Sequence, residues 1–177
     1  MSRIAVKPTL QPELFTYSCP VRVYFENTDA GGVVYHAEYL KFFERARTEW
    51  LRSLGLEQQV LRERTGQMFV VGETLVRYHR AARLDDELLV TARVQETGRA
   101  SLIIVQQAFV LPSLAKADLS AAGPPQGASA PSGGSAAAPA ASVGALVCDG
   151  TIRIGWVDAA SLKPARIPHT LLEALKQ

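Results

Sequence analysis

The sequence has 177 residues, of which 47% are hydrophobic and 20% are charged, a balance typical of a soluble globular domain large enough to bury one core. Nineteen basic and 17 acidic side chains give a formal net charge of +2 without a continuous basic stripe, which argues against a nucleic-acid partner. No window approaches the ~18 consecutive apolar residues of a membrane span, and no signal-peptide pattern is evident, so we expect a cytoplasmic protein without a transmembrane segment.

The first 20 residues contain three prolines and no sustained periodicity, which predicts an N-terminal extension over residues 1–20 and a single domain over residues 21–177. The segment Val21–Glu26 is rich in β-branched and aromatic residues and precedes a cluster of turn formers, so we predict a strand followed by a tight loop. From about His36 to Leu54, apolar residues recur at three- and four-residue steps. This period predicts one amphipathic helix of about five turns, ended by the glycine that follows.

Four later runs have the composition of strands and predict a continuous antiparallel meander: Gln67–His79, Glu87–Glu96, Ala100–Leu111 and Ala145–Val157. The stretch Leu102–Val105 is apolar on both faces, so it needs two covers, of which the helix is one and a second subunit is the simplest other. Before the last strand, Ser120–Ser142 consists of Ser, Ala, Gly and Pro apart from one Gln, which predicts a disordered insertion at about residues 113–143.

The loop ahead of the predicted helix is the feature most suggestive of chemistry, because Asp29 stands there beside two glycines. A carboxylate near unpaired helix N–H groups could attack a carbonyl or activate water against it, which suggests acyl transfer or hydration chemistry. Gly32 lets the backbone approach a ligand closely, and the residues after it would form apolar pocket walls: Val33, Val34 and Tyr35. A structural alternative stays open, in which Asp29 caps the helix or closes an Asx turn.

One long motif resembles the signature of the 4-hydroxybenzoyl-CoA thioesterase family: Val23–Glu49, which reads VYFENTDAGGVVYHAEYLKFFERARTE. It is most similar to the subgroup of acyl-CoA thioesterases associated with the Tol-Pal system. A second stretch, Tyr78–Leu88, is similar to another conserved stretch of that family. The resemblance implies an α+β hot-dog fold, in which an antiparallel sheet of about five strands wraps around one long helix. It also implies a homodimer or homotetramer with active sites at the dimer interface.

By motif position, the resemblance places the family's essential aspartate at Asp29 and the N–H that polarises the thioester carbonyl near His36. His36 also matches a histidine to which the subgroup's catalysis is attributed, so we predict that its imidazole binds substrate or water. Arg83 and Ser101 are our candidate contacts for the CoA phosphates. The predicted function is hydrolysis of a short-chain or aromatic acyl-CoA to free acid and CoA, with Asp29 as general base or nucleophile and without metal or other cofactor.

Two other functions stay open, namely hydrolysis of acyl groups carried on acyl carrier protein, and a non-catalytic acyl-binding or scaffold role in an envelope or lipid-synthesis complex. Three residues depart from the subgroup's pattern. Phe25 stands where relatives commonly have Tyr, Asn27 where they have an acidic residue, and Ala81 where they often have Pro. If the tyrosine hydroxyl assists the reaction in relatives, Phe25 should alter the rate or the substrate preference.

Other reactive or charged residues receive structural interpretations. Glu44 and Arg47 are spaced i,i+3 on the helix and predict a surface ion pair. Cys19 and Cys148 are too few and too far apart for a disulfide framework, and neither has a neighbour at metal-ligand spacing, so we assign them no role.

Overall fold

A computed structural model describes residues 16–112 and 144–175 of the chain. Within these two ranges, five antiparallel strands form one sheet in the order β1-β3-β4-β5-β2. The strands are β1 (Tyr17–Arg22), β2 (Gln67–Tyr78), β3 (Glu87–Thr97), β4 (Ser101–Val110) and β5 (Ala145–Asp158). The helices are α1 (Glu38–Ser53), α2 (Gln58–Thr65) and α3 (His169–Ala174), and one 3₁₀ turn covers Phe25–Asn27. The predicted α+β class, with about five strands and one long helix, is confirmed.

The long helix α1 buries one face against the sheet. Its buried apolar residues are Tyr39, Phe42, Phe43, Ala46, Trp50 and Leu51. The ring of Phe43 lies against β5 at Gly150, where an added Cβ would be 2.9 Å from a ring carbon. Gly150 thus lets the helix approach the sheet closely. Beyond the helix, Gly55 has a left-handed φ of +73°, which ends α1 as predicted.

The first strand begins earlier than predicted. β1 starts at Tyr17, inside the segment predicted as an extension, and the predicted strand Val21–Glu26 is wrong at its far end, where a 3₁₀ turn forms instead. Pro20 pairs with Leu89 of β3, and a proline is tolerated there because β1 is an edge strand that needs hydrogen bonds on one side only. Residues 1–15 of the predicted extension and the predicted insertion at about 113–143 lie outside the described residues.

The predicted meander is correct for β3, β4 and β5, and wrong for β2. β2 pairs with β5 along its whole length, from Gln67 opposite Asp158 to Tyr78 opposite Cys148. The link over residues 79–86 therefore crosses three strand spacings, or about 14 Å, which its eight residues span easily. The strand pattern of β2 predicts a strand without specifying its partner, so the strand order could not be predicted from it.

Two short helices were not predicted. α2 has no buried residue and lacks an apolar stripe, and α3 has only six residues, so neither produces a helical period in the sequence. α3 packs Leu171 and the following Leu175 into the core. Ile103 and Val105 of β4 are only half-buried, so the second cover predicted for this strand stays a prediction. Among the described helices, none is long and apolar enough to cross a membrane.

Candidate active site

A tight hairpin presents Asp29 at the surface. Thr28 pairs with Val34, the Asp29 N–H donates to the Val33 carbonyl at 2.9 Å, and the Gly32 N–H donates to the Asp29 carbonyl at 2.9 Å. Gly32 has a φ of +72°, a conformation that side-chain-bearing residues rarely adopt. The glycine is therefore required by the turn that exposes Asp29.

The Asp29 carboxylate is held through one oxygen and accessible through the other. Its Oδ1 accepts the Gly31 N–H at 2.8 Å, so the Asx turn considered from the sequence is present. Its Oδ2 accepts no hydrogen bond from the described residues, and the side chain is exposed. A Cβ at Gly31 would lie 3.1 Å from Oδ1, which makes glycine favourable there too. The Asx turn thus orients the carboxylate without occupying both oxygens.

Asp29 does not cap α1. The helix begins at Glu38 after Ala37, and the hairpin separates it from Asp29, so the helix-cap alternative is wrong. The N–H of Glu38 donates to the Tyr35 carbonyl at 2.9 Å. The N–H groups of His36 and Ala37 just before it donate to no acceptor within residues 16–112 and 144–175. These two amides, directly before α1, are therefore unpaired donors within the described residues.

The backbone of His36 is held by a hydrogen bond, whereas its ring nitrogens bond to none of the described residues. Its carbonyl accepts the Tyr78 hydroxyl at 3.0 Å, and partial burial raises the pKa of that hydroxyl, so it stays protonated as a donor. The imidazole lies 4.4 Å from the Tyr35 ring and 6.2 Å from the Tyr78 ring between centroids. Its nitrogens bond to none of the described residues, which leaves them available to a ligand. No role was predicted for Tyr78, although the second family stretch begins there.

The predicted pocket residues after Gly32 separate into two groups. Val34 is 5% exposed and belongs to the hydrophobic core, so it supports the hairpin from below. Val33 is half-buried and Tyr35 is exposed, and both stay accessible. This division follows the alternation of side chains along an extended segment.

The two predicted CoA contacts lie in different places. Arg83 pairs with Val33 in an isolated bridge, and its exposed side chain is therefore beside the hairpin. Ser101 begins β4, opposite Gly155, whereas the other end of β4 pairs with the start of β3 near Arg83. The nine residue steps from Ser101 to Val110 separate these ends by about 30 Å. Within one chain, Ser101 and Asp29 are not brought together.

A buried polar pair that the sequence did not single out joins the hairpin to α1. The Asn27 side-chain amide donates to Glu38 Oε2 at 2.9 Å, and the Lys41 ammonium donates to Oε1 at 2.5 Å. The Lys41 hydrogen bond holds the pKa of Glu38 below its ordinary value. In the sequence, Asn27 stands out only as a departure from the family pattern, and a carboxylate at the first helical position is too common to be a signal by itself.

The predicted ion pair between Glu44 and Arg47 is wrong. Arg47 Nη1 donates instead to Oε1 of Gln106 at 2.6 Å, and Glu44 accepts the Thr48 hydroxyl at 2.7 Å. Gln106 is fully buried on β4 beneath the helix, and its amide donates to the Phe43 carbonyl at 2.9 Å. Arg47 therefore turns inward toward a neutral acceptor, and burial lowers its pKa.

A cavity of about 120 Å³ lies beside this second polar pair. Its lining includes Arg47, Trp50, Phe69, Leu102 and Ile154. These residues belong to the C-terminal half of α1 and the strands beneath it, so the cavity is remote from Asp29 of the same chain. Within the described ranges, no group of three or more His, Cys, Asp or Glu side chains is arranged to hold a metal ion.

Comparison with known proteins shows the family to which the chain belongs. A family model described as thioesterase superfamily matches residues 31–113. The acyl-CoA thioesterase YbgC of Haemophilus influenzae is 54% identical over 91 residues, which are 51% of this chain and 67% of that protein. The acyl-CoA thioester hydrolase YbgC of Escherichia coli O6:H1 is 51% identical over 89 residues, covering 50% of this chain and 65% of that protein. The matches thus span about two thirds of these relatives' length.

Solved structures show the same fold. A thioesterase from Thermus thermophilus, complexed with coenzyme A and Zn, superposes with a TM-score of 0.65 at 22% identity, covering 93% of this chain and 94% of that chain. The chain belongs to the thioesterase superfamily, with the hot-dog fold.

Proposed function

We propose that the protein hydrolyses acyl-CoA thioesters, releasing the free carboxylic acid and CoA. The observation that carries this proposal is the Asp29 hairpin, which offers an accessible carboxylate oxygen a few residues before two backbone N–H groups that donate to none of the described residues. Two relatives named as acyl-CoA thioester-cleaving enzymes are more than 50% identical to about half of this chain.

The two features have complementary chemical roles. The N–H groups of His36 and Ala37 are suited to bind the thioester oxygen and stabilise the negative charge that develops on it. In one route, Asp29 Oδ2 removes a proton from a water that attacks the carbonyl carbon, and the tetrahedral intermediate collapses to free acid and CoA thiolate. In the other, Oδ2 attacks the carbonyl carbon, the CoA thiolate leaves, and water then hydrolyses the acyl–Asp29 anhydride to free acid and the restored carboxylate. We assign the His36 imidazole, whose nitrogens bond to none of the described residues, the role of orienting the substrate or the water.

The substrate's CoA portion is assigned to the rim beside the hairpin, where Arg83 offers a guanidinium to phosphate. Ser101 of the same chain is too far away, so its contribution requires a second copy of the chain. A homodimer or homotetramer would satisfy that requirement and would also cover the half-buried face of β4. We further propose a cytoplasmic enzyme that acts on short-chain or aromatic acyl groups in association with the Tol-Pal system.

Two alternatives remain as competing proposals. Acyl carrier protein could replace CoA, with its acidic surface facing the exposed cations near the hairpin, Arg77, Arg80 and Arg83. A non-catalytic acyl-binding protein would explain Phe25, whose ring is 81% exposed and supplies no hydroxyl.

The decisive experiment compares Asp29→Asn with wild type in a thiol-release assay over acyl-CoAs of increasing length and with aromatic acyl groups. Asparagine keeps the acceptor for the Gly31 N–H and removes the charge, so kcat should fall at least about 100-fold. Asp85→Asn is the matched control, because it removes a charge from a nearby exposed loop at a φ of +68° that asparagine tolerates.

The three functions give different results in this comparison. Undiminished turnover by Asp29→Asn would overturn the role of Asp29. Faster release from acyl carrier protein than from CoA would favour the first alternative. Ligand binding without thiol release by wild type would favour the second.

A further inference from the structure

One buried residue ties together the segments on both sides of the Asp29 hairpin. Asn27 is 6% exposed, and its side-chain oxygen accepts the Tyr24 N–H at 2.9 Å while its amide nitrogen donates to Glu38 Oε2. Its backbone carbonyl accepts the Tyr35 N–H at 2.9 Å. Asn27 therefore fixes the chain before the hairpin, the chain after it, and the first turn of α1.

We propose that Asn27 and Glu38 are positioning residues that hold the Asp29 carboxylate in register with the N–H groups of His36 and Ala37. This proposal rests on the proposed function. Asp29 follows Asn27 by two residues, and the two N–H groups directly precede Glu38, so the buried pair connects the two groups that must act on one carbonyl. A displacement of about 1 Å between such groups costs up to about 100-fold in rate.

The neighbouring side chains decide that Glu38, and not residue 27, carries the negative charge of the pair. Glu38 accepts from Asn27 on one oxygen and from Lys41 on the other, and Arg45 on the same helix adds a second cation near it. An aspartate at position 27 would place a second carboxylate at hydrogen-bonding distance from Glu38. Two such groups share a proton at low pH and repel each other once both are ionised, and this would separate the hairpin from α1.

The test is a charge exchange across the pair. Asn27→Asp should lower kcat about 10-fold or more at pH 8, with KM within about twofold of wild type. Its kcat should also fall as the pH rises and both carboxylates become ionised. The double variant Asn27→Asp/Glu38→Gln restores one donor facing one acceptor and keeps an oxygen for Lys41, so kcat should return to within about threefold of wild type without this fall at higher pH. Glu49→Gln, which removes a half-buried charge paired with Arg52 in the C-terminal half of α1, should match wild-type kcat.

Amide hydrogen exchange over residues 28–37 gives a readout that needs no turnover. Exchange of the Tyr35 amide should be faster in Asn27→Asp at pH 8 and slow again in the double variant. If wild type releases no thiol, the proposed function fails while exchange still tests the connection between hairpin and helix. The proposal is overturned if Asn27→Asp leaves kcat and exchange unchanged, if the double variant recovers neither, or if exchange recovers without kcat.

Discussion

The adjacent glycines Gly31 and Gly32 in the Asp29 hairpin should respond differently to substitution by alanine. Gly32→Ala should mainly lower stability, and Gly31→Ala should mainly lower activity. Gly32 has a φ of +72° with nothing within 4 Å of an added Cβ, so Gly32→Ala introduces backbone strain without a clash. That strain should lower the free energy of unfolding by about 1–2 kcal/mol. Gly31 is not in the left-handed region, but its added Cβ would lie 3.1 Å from Asp29 Oδ1.

Gly31→Ala should therefore change activity more than stability. The carboxylate must move by a few tenths of an ångström, which lengthens the 2.8 Å hydrogen bond that orients it. Because a displacement of about 1 Å costs up to about 100-fold in rate, this smaller displacement should lower kcat about 3- to 10-fold. Unfolding free energy should change by less than about 1 kcal/mol, because alanine also restricts the unfolded chain.

Urea unfolding and the thiol-release assay measure the two effects on the same samples. Gly55→Ala is the matched control, since it has a φ of +73°, an equally open Cβ position and a location at the far end of α1. It should lose as much stability as Gly32→Ala and keep wild-type kcat. Wild-type kcat in Gly31→Ala, or wild-type stability in Gly32→Ala, would refute the roles given to these glycines.

Two further predictions concern titratable groups in the described chain. The pKa of Glu38 lies below its ordinary value of 4.5, so its ionised form stabilises the fold above that pH and the contribution is lost as the pH falls through the lowered pKa. The loss of unfolding free energy in Glu38→Gln, about 1 kcal/mol, should be constant above about pH 5 and shrink in more acidic urea titrations. Burial raises the pKa of the Cys148 thiol to about 12 and also raises that of Cys19. Both should react with a disulfide reagent at pH 8 only after unfolding, and rapid modification of native protein would contradict this burial.

The sequence by itself determined most of the local structure, with the exceptions of the first strand and the two short helices. The period of the apolar residues in α1, the compositions of β2 to β5 and the turn formers around Asp29 depend on neighbours within a few positions, and each predicted an element close to the observed one. The family motif, which is also local, identified the superfamily and the candidate residues Asp29 and His36.

Apart from the pairing of β3, β4 and β5, only the tertiary structure decided which elements meet. β2 lies beside β5, Arg47 bonds Gln106 across 59 positions of sequence, and Ser101 lies at the other end of β4 from the hairpin. Asn27 and Glu38, 11 positions apart, form their buried pair because the hairpin folds back onto α1. Such contacts depend on how hydrophobic faces pack and which polar groups must be satisfied when they do, and a local pattern does not contain that information.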